Sequence, residues 1–413
     1  MRVIISLLLI FSAGFASAAG GRAVQADPVR DWTIMLYMSG KRGVPGGAWD
    51  DAAELAKTGT TGNVAVVAEV GCGGFEDGFT GTKRFVITKG MDILAAEPQE
   101  RLDNVDQGDW KNLVKFVRWA KERAPAKRYM FVFWAHGAGF FDEKKSQDIS
   151  DRGVGFDLTT GNYLTLPQLR FFAREAQVDV IAFNSCLMGM AEVMHELGSD
   201  VKYVVASEET VPGDGYDYAS FLAALADKPS STAEQAALLL ASTYMKSYAG
   251  EEVQIGVIRP AASLQLAKML SVWQQNARKL DDVQAFKYAN EYVLRFASVL
   301  TGQRDTSIFG DLGEFLKLFN SRLDMARPGA QLVKEQGDEI VGYIAKKMAV
   351  SYGSGKYAGA TGVSVHLPAL SPKITYELMS NPAFLEVMYP NLPFAQDAKW
   401  CDFLPWAYAA RTR

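Results

Sequence analysis

A cysteine and a histidine each follow a short apolar segment of this chain. Residues 180–183 are followed by Asn184, Ser185 and Cys186, and residues 129–135 lead directly into His136. Apolar runs of this length are typical of buried parallel strands, and chemistry in open α/β sheets collects at the carboxyl ends of the strands. We therefore expect a thiol and an imidazole at one edge of a sheet, where the imidazole can take the proton of a nucleophilic thiol.

The residues after Cys186 have helical periodicity. Apolar residues recur at helical spacing from Leu187 to Leu197, with Glu192 and Glu196 on another face. The pattern predicts a helix that begins directly after Cys186, and the helix dipole would then favour the thiolate. The alternative interpretations are a buried, hydrophobe-like cysteine and a hydrogen-bonded structural histidine.

Backbone donors for an oxyanion are available beside both residues. Gly137 and Gly139 would let the backbone after His136 pass close to a substrate. We expect the N–H groups of Gly137 and Cys186 to bind the oxyanion of a tetrahedral intermediate. The sequence shows no obvious third catalytic residue, and it lacks the Gly-x-Ser-x-Gly elbow of serine hydrolases.

The surrounding elements predict an α/β domain that presents these two strand ends. Apolar runs predict strands at 31–38, 63–70, 203–206, 254–258 and, as a late strand of the same sheet, 362–368. Amphipathic patterns predict helices at 49–57, 107–123 and 165–176, several between 220 and 350, and a packed aromatic end at 400–406. The glycines at 71–74 do not predict a dinucleotide-binding loop, because Glu76 stands where that motif needs its third glycine and no helix follows. Residues 75–87 contain several glycines and are predicted to form a hairpin instead.

Four segments of the sequence resemble the clostripain-like cysteine peptidases. They are residues 32–38, 133–137, 184–190 and 206–215, which occur in the family's order, and the resemblance extends from about residue 31 to the C-terminus. It implies a caspase-like three-layer sandwich, with a mostly parallel central sheet at about 31–260 and a helical C-terminal part at about 260–413 packed on it. It also implies an endopeptidase with a Cys186/His136 dyad; the alternative is a catalytically silent homologue that acts as a binding or interaction protein.

The resemblance also bears on substrate specificity. Family members that cleave after Arg or Lys often carry Asp two residues before the nucleophile, where this chain has Asn184. An amide cannot neutralise a guanidinium, but Asp214 matches another acidic position of the family's pocket. Glu209, with Glu208, is a further substrate-binding candidate, or else a solvated or capping residue. A preference for a basic P1 residue is the leading hypothesis.

The N-terminus has the pattern of an export signal. Arg2 precedes an apolar run at 3–15, and Ala16-Ser17-Ala18 has the form of a signal-peptidase site. The run is short for a membrane span. We expect residues 1–18 to be removed, residues 19–30 to be a flexible lead-in to the 31–413 domain, and the mature protein to be periplasmic or secreted without an integral membrane segment.

Composition limits the partners and cofactors. With 413 residues and a formal net charge of -4, the chain gives no reason to expect nucleic acid, and we expect a monomer that acts on polypeptides. Because the chain has three cysteines, at least one thiol must lie outside any disulfide within it. The sequence does not decide whether Cys72 and Cys401 form a disulfide. No zinc spacing or calcium-loop pattern is present, so no metal or other cofactor is predicted; calcium is implied only by the resemblance, since it helps some family members.

The segment after His136 suggests self-processing. Residues 140–155 are mainly polar and have no periodicity, and they contain Lys144 and Lys145. Enzymes similar to this one cut themselves in the loop after the catalytic histidine. We expect the Lys145–Ser146 bond to be the cleavage site; the alternative is a solvated surface loop.

Overall fold

The computed structural model describes residues 29–40, 47–73, 78–103, 105–142, 152–157, 159–297, 306–371 and 388–413. Within them, the central element is a nine-stranded sheet, whose middle strands are those predicted to carry His136 and Cys186. In spatial order its strands are β13 (Ala349–Gly353), β11 (Gln254–Ile258), β10 (Tyr203–Ala206), β9 (Val180–Asn184), β5 (Ala126–Trp134), β1 (Arg30–Met38), β2 (Val64–Gly73), β3 (Thr80–Val86) and β4 (Glu100–Leu102).

The five middle strands of the sheet, from β10 to β2, run parallel. The pairs at both edges are antiparallel, so the sheet is mixed and parallel at its centre. Alternate residues of each middle strand enter different cores: Phe131 and Phe133 of β5 lie in one, and Met130 and Val132 in the other. A strand buried on both faces needs apolar residues at every position, which explains the continuous apolar runs of the sequence.

Helices cover both faces and complete three layers, as predicted. Beside the core that contains Phe133 lie α2 (Trp110–Arg123), α3 (Leu166–Ala176), α4 (Ala191–Leu197), α7 (Ser263–Leu280), α8 (Val283–Tyr292), α9 (Leu312–Ser321), α10 (Ala330–Tyr343), α11 (Pro393–Asp397) and α12 (Trp400–Ala410). The other core is covered by α1 (Gly47–Thr58), α5 (Tyr218–Asp227) and α6 (Ala233–Ser247). The helices of the C-terminal part thus pack on the sheet face that also carries α4, next to the Cys186 segment.

Two small sheets correct the sequence predictions. The predicted late strand at 362–368 is β14 (Ser364–His366), which pairs with β12 (Phe309–Asp311) outside the central sheet. The late strand of the central sheet is β13, a five-residue strand that directly follows a helical segment and lies at the end of the region predicted to be helical. The ends of the supposedly unpatterned segment 140–155 are also strands: β6 (Gly137–Asp142) and β7 (Arg152–Asp157) pair with each other, and β7 pairs with β8 (Asn162–Leu164).

Some predictions concern residues outside the described ranges, namely the signal peptide, most of the lead-in, and Lys144 and Lys145. None of the helices in the described part of the chain has the length and apolar character needed to cross a membrane. Cys72, Cys186 and Cys401 form no disulfide with one another. Cys72 packs in one core and Cys401 against the other.

Candidate active site

Strand register places His136 and Cys186 side by side. Trp134 of β5 is paired in parallel with Asn184 of β9, and the two candidate residues each lie two positions further along. The Ala135 N–H donates to the Asn184 carbonyl at 3.4 Å, so the pairing continues past the strand ends. Neighbouring strands are separated by only about 4.8 Å. The structure therefore brings the predicted thiol and imidazole to one edge, as the sequence suggested.

Both residues line the same cavity of about 210 Å³ at the carboxyl ends of the strands. Its floor comes from the ends of β1, β5 and β9, and one wall comes from the loop after β10. The lining residues are Ser39, Gly47, Trp134, Ala135, His136, Asn184, Ser185, Cys186, Val211, Pro212 and Gly213. A concave site with a thiol and an imidazole on its surface can hold a peptide bond for nucleophilic attack.

The segment that follows Cys186 differs from the prediction. Helix α4 begins at Ala191 rather than Leu187, and Leu187 has a left-handed backbone with φ of 63°. Backbone N–H groups of Leu187 and Gly189 donate to the carbonyls of Glu209 and Ser207, at 3.1 and 2.8 Å. These bonds to the next loop replace the predicted helical turn. The prediction that the helix dipole acts directly on the thiol is therefore wrong.

Burial dominates the electrostatics of the thiol. It raises the pKa of Cys186 above its ordinary value, because an ionised sulfur loses solvation there. The Val211 N–H, which donates to the Cys186 sulfur at 3.4 Å, lowers the pKa, and the charge of Glu209 raises it. Burial therefore works against the thiolate, and attack requires a base such as the imidazole of His136.

The glycines after His136 face the nucleophile segment. A Cβ on Gly137 would lie 2.5 Å from the Cys186 carbonyl oxygen, and one on Gly139, where φ is 61°, would lie 2.3 Å from the Met190 sulfur. Both glycines let β6 pack directly against the Cys186 segment, and this packing fixes the spacing between the two catalytic candidates.

A second, acidic cavity of about 440 Å³ adjoins the first, since Gly47 and Gly213 line both. The Trp134 ring, which lines the first cavity, donates its indole N–H to Asp51, which lines the second. Burial, followed by neighbouring carboxylates, raises the pKa of Asp51 to about 7. Among the described residues, the carboxylates that line the second cavity are Asp50, Asp51, Glu54, Asp214, Asp217 and Glu251, and Lys57 also lines it.

The structure places the three substrate-binding candidates differently. Asn184 lines the first cavity and donates its amide to the Tyr218 hydroxyl at 2.9 Å, and Asp214 is exposed on the acidic cavity. Glu209 lies in neither lining: its side chain is buried and accepts hydrogen bonds from Tyr357 and Ala297. Glu209 therefore supports the cavity wall rather than facing a substrate.

Sequence reasoning missed Asp51. The available signal was the acidic start of α1, where Asp50, Asp51 and Glu54 come soon after the end of β1. Strand β1 ends at the same edge of the sheet as β5 and β9, so the residues that follow it in sequence were candidates for a cavity wall.

The described residues form no recognisable metal-binding site. Among them, no group of three or more His, Cys, Asp or Glu side chains is arranged to hold one. The calcium implied by the resemblance thus does not fit the described carboxylates, and no step of the mechanism below passes through it. His195 is also outside the site, because its ring bonds to Asp397 at 3.0 Å.

Comparisons with known proteins agree with this geometry. A model of the clostripain family, peptidase C11, matches residues 50–406. The clostripain of Hathewaya histolytica is 30% identical over 125 residues, a match that spans 27% of this chain and 23% of that protein. The chain therefore aligns with under a quarter of this relative's length.

Solved structures show the same fold over most of the chain. A secreted C11 cysteine protease from Bacteroides thetaiotaomicron, bound to an irreversible peptide inhibitor, aligns with a TM-score of 0.65 and 19% identity, covering 90% of this chain and 99% of that one. An inactive zymogen C11 protease from Parabacteroides distasonis aligns with a TM-score of 0.62 and 16% identity, covering 90% and 98%. At these identities the likeness concerns the fold.

Proposed function

The chain belongs to the clostripain family, peptidase C11, and from this premise we propose that it is an exported cysteine endopeptidase with a Cys186/His136 dyad. The Cys186 sulfur attacks a peptide carbonyl while His136 takes the thiol proton and passes it to the leaving amine. Water then hydrolyses the acyl-enzyme, with the imidazole as the base. The N–H groups of Gly137 and Cys186 are the proposed oxyanion donors, each worth about 3 kcal/mol in known sites.

One observation supports this proposal most strongly. Because β5 and β9 are paired in parallel, His136 and Cys186 lie at matching positions beyond the strand ends, and both line one cavity. A merely structural cysteine has no reason to lie beside an imidazole on a concave surface. Export is supported by the signal-peptide pattern at residues 1–18.

We also propose a preference for Lys or Arg at P1, bound by the acidic cavity next to the catalytic one. Although Asn184 carries no charge, Asp51 and Asp214 supply carboxylates within a wall whose described residues are mainly acidic. A cationic side chain that enters this cavity gains Coulomb energy and relieves the mutual repulsion of the carboxylates.

The Asn184→Asp variant should raise kcat/KM for Lys or Arg at P1 by roughly tenfold, because the new carboxylate can pair directly with the cation. The measurement is cleavage of a P1-randomised peptide library by the wild type and this variant. Asn276→Asp, which adds the same charge in the C-terminal part where Asn276 bonds to Gln336, is the matched control and should leave the profile unchanged.

Two library results would contradict these proposals. Absence of cleavage by the folded wild type would favour the silent homologue. Cleavage without a basic preference in either protein would remove Asn184 and Asp214 from the pocket.

We further propose that the chain cuts itself at Lys145–Ser146 to become active. The flanking strands β6 and β7 pair with each other, so this pairing would also join the two fragments after the cut. His136 and Cys186 would then lie on different fragments, held together by the pairing of β5 with β9.

Intact mass spectrometry tests the self-processing. Purified wild type should consist of two fragments whose masses add up to the chain plus one water, while Cys186→Ala should remain one chain. A wild type that stays uncut yet has full activity would eliminate self-processing as the activation step.

A further inference from the structure

The loop that forms one wall of the catalytic cavity is held from behind by the C-terminal half. We call residues 207–213 the wall loop. On its inner side, the Val211 N–H donates to the Cys186 sulfur at 3.4 Å, and the Glu209 carbonyl accepts from Leu187 of the nucleophile segment at 3.1 Å. The position of the wall loop therefore determines which donor faces the thiol.

The side chain of Glu209 supplies the support on the outer side. One carboxylate oxygen accepts from the N–H groups of Thr210 at 2.8 Å and Ala297 at 3.0 Å. The other accepts from the Tyr357 hydroxyl at 2.6 Å. Glu209 and Tyr357 are 5% and 3% exposed, so these charge-assisted bonds form away from competing water.

A neighbouring carboxylate strengthens the same connection. Glu208 is fully buried and accepts from the Gly362 N–H at 2.9 Å. Burial, and then the charge of Asp311, raises the pKa of Glu208 well above its ordinary range. Of the two glutamates, Glu209 is the one whose charge raises the pKa of Cys186.

We propose that Glu209 is a positioning residue of the active site: by bonding to Tyr357 and Ala297, it fixes the wall loop so that the Val211 N–H faces the Cys186 sulfur. The inference deepens the proposed peptidase function and rests on it. It also gives a role to a carboxylate that lies in a buried place, where an apolar residue would avoid the loss of solvation.

The position of Glu209 and its negative charge have opposite effects on the pKa of Cys186, and substitutions can separate these effects. The geometry of Glu209 favours the thiolate through the Val211 donor, whereas its negative charge disfavours it. Glu209→Gln keeps an oxygen for Thr210 and Ala297, and its amide can donate to the Tyr357 oxygen, so the loop stays in place while the charge disappears. Glu209→Ala removes both contributions.

Two measurements read out the proposal. The first is the pH dependence of iodoacetamide alkylation, followed by mass spectrometry on the proteolytic peptide that contains Cys186, which does not depend on peptidase activity. The second is the separate effect on kcat and KM. In Glu209→Gln, the alkylation midpoint should move to lower pH and most of kcat should remain. In Glu209→Ala, kcat should fall about tenfold or more at a similar KM, since a small displacement of the wall misaligns the site.

Two tyrosine variants test the proposal independently, in case Glu209→Ala does not fold. Tyr357→Phe removes only the hydroxyl that bonds to Glu209 and should lower kcat several-fold and move the alkylation midpoint to higher pH. Tyr343→Phe removes a similar bond, from Tyr343 to the Ala262 carbonyl at 3.1 Å, and should change neither.

Three results would overturn the assignment. Unchanged alkylation midpoints in all Glu209 and Tyr357 variants, with only a lower Tm, would make the contacts purely structural. Equal losses of kcat in Glu209→Gln and Glu209→Ala would indicate that charge rather than position matters. Shifted alkylation midpoints without peptide cleavage by the wild type would refute the peptidase proposal, and with it the catalytic consequence of the positioning, while the coupling of Glu209 to Cys186 would stand.

Discussion

Cys186→Ala and His136→Ala should each reduce peptide hydrolysis by roughly 10⁴-fold or more while the protein remains folded. Alanine at position 186 removes the thiol that would form the thioester, and no other described residue of the cavity lining carries one. Alanine at position 136 leaves a thiol whose pKa is raised by burial, so few molecules carry a thiolate at neutral pH. The measurement is kcat/KM on a cleavable peptide, with circular dichroism to verify the fold.

The two variants should differ in their response to pH. Residual activity of His136→Ala should rise as the pH increases towards the raised thiol pKa, because only deprotonation by solvent then generates the nucleophile. Cys186→Ala should show no such rise. Cys401→Ala and His195→Ala, which change the same residue types outside the cavity, are the controls and should retain hydrolysis. Full activity in folded Cys186→Ala would end the cysteine-peptidase interpretation.

Gly137→Ala should lower kcat/KM by about 100-fold, although both catalytic side chains remain. The added Cβ would lie 2.5 Å from the Cys186 carbonyl oxygen, 3.0 Å from the Ser185 Cβ and 3.1 Å from the Met188 sulfur. The first contact is with backbone, which cannot rotate away, so β6 and the nucleophile segment must separate. Misplacement on the order of 1 Å at a reacting group is enough for a loss of this size.

Gly342→Ala provides the matched control. Gly342 lies in α10, and among the described residues a Cβ built on it meets nothing within 4 Å beyond its chain neighbours and its own helix backbone. Alanine should therefore leave kcat/KM unchanged and raise stability by up to about 1 kcal/mol. Kinetics and thermal unfolding of both variants distinguish a local effect at the site from a general effect of the substitution. A fully active Gly137→Ala protein would show that the contact between β6 and Cys186 does not set the catalytic geometry.

The sequence alone determined the two strand ends that define the site. Continuous apolar runs require burial on both faces, and such strands lie parallel in the middle of an α/β sheet. The equal positions of His136 and Cys186 after their runs then follow from the parallel register of β5 and β9. The helix predicted at 165–176 was also readable from its amphipathic pattern, since α3 spans Leu166–Ala176.

The tertiary structure determined the backbone conformation of the residues that directly follow those strands. The periodicity from Leu187 onwards is helical, but bonds to Ser207 and Glu209 hold the first residues in another conformation, and helix α4 begins only at Ala191. A local pattern cannot reveal such bonds, because their partners lie about 20 residues away. For the same reason the sequence could not show that burial would oppose the thiolate of Cys186.

The roles of the acidic residues also depended on the fold. Glu209 and Asp214 belong to one polar segment, yet one points into the contacts with Tyr357 and the other is exposed on a cavity shared with α1. Asp51 enters that cavity because α1 follows the end of β1 and the indole of Trp134 reaches it. Residue type and spacing identify a carboxylate as a candidate, but burial and hydrogen-bond partners are properties of segments far apart in sequence, so only the tertiary structure assigns each carboxylate to a substrate or to a support.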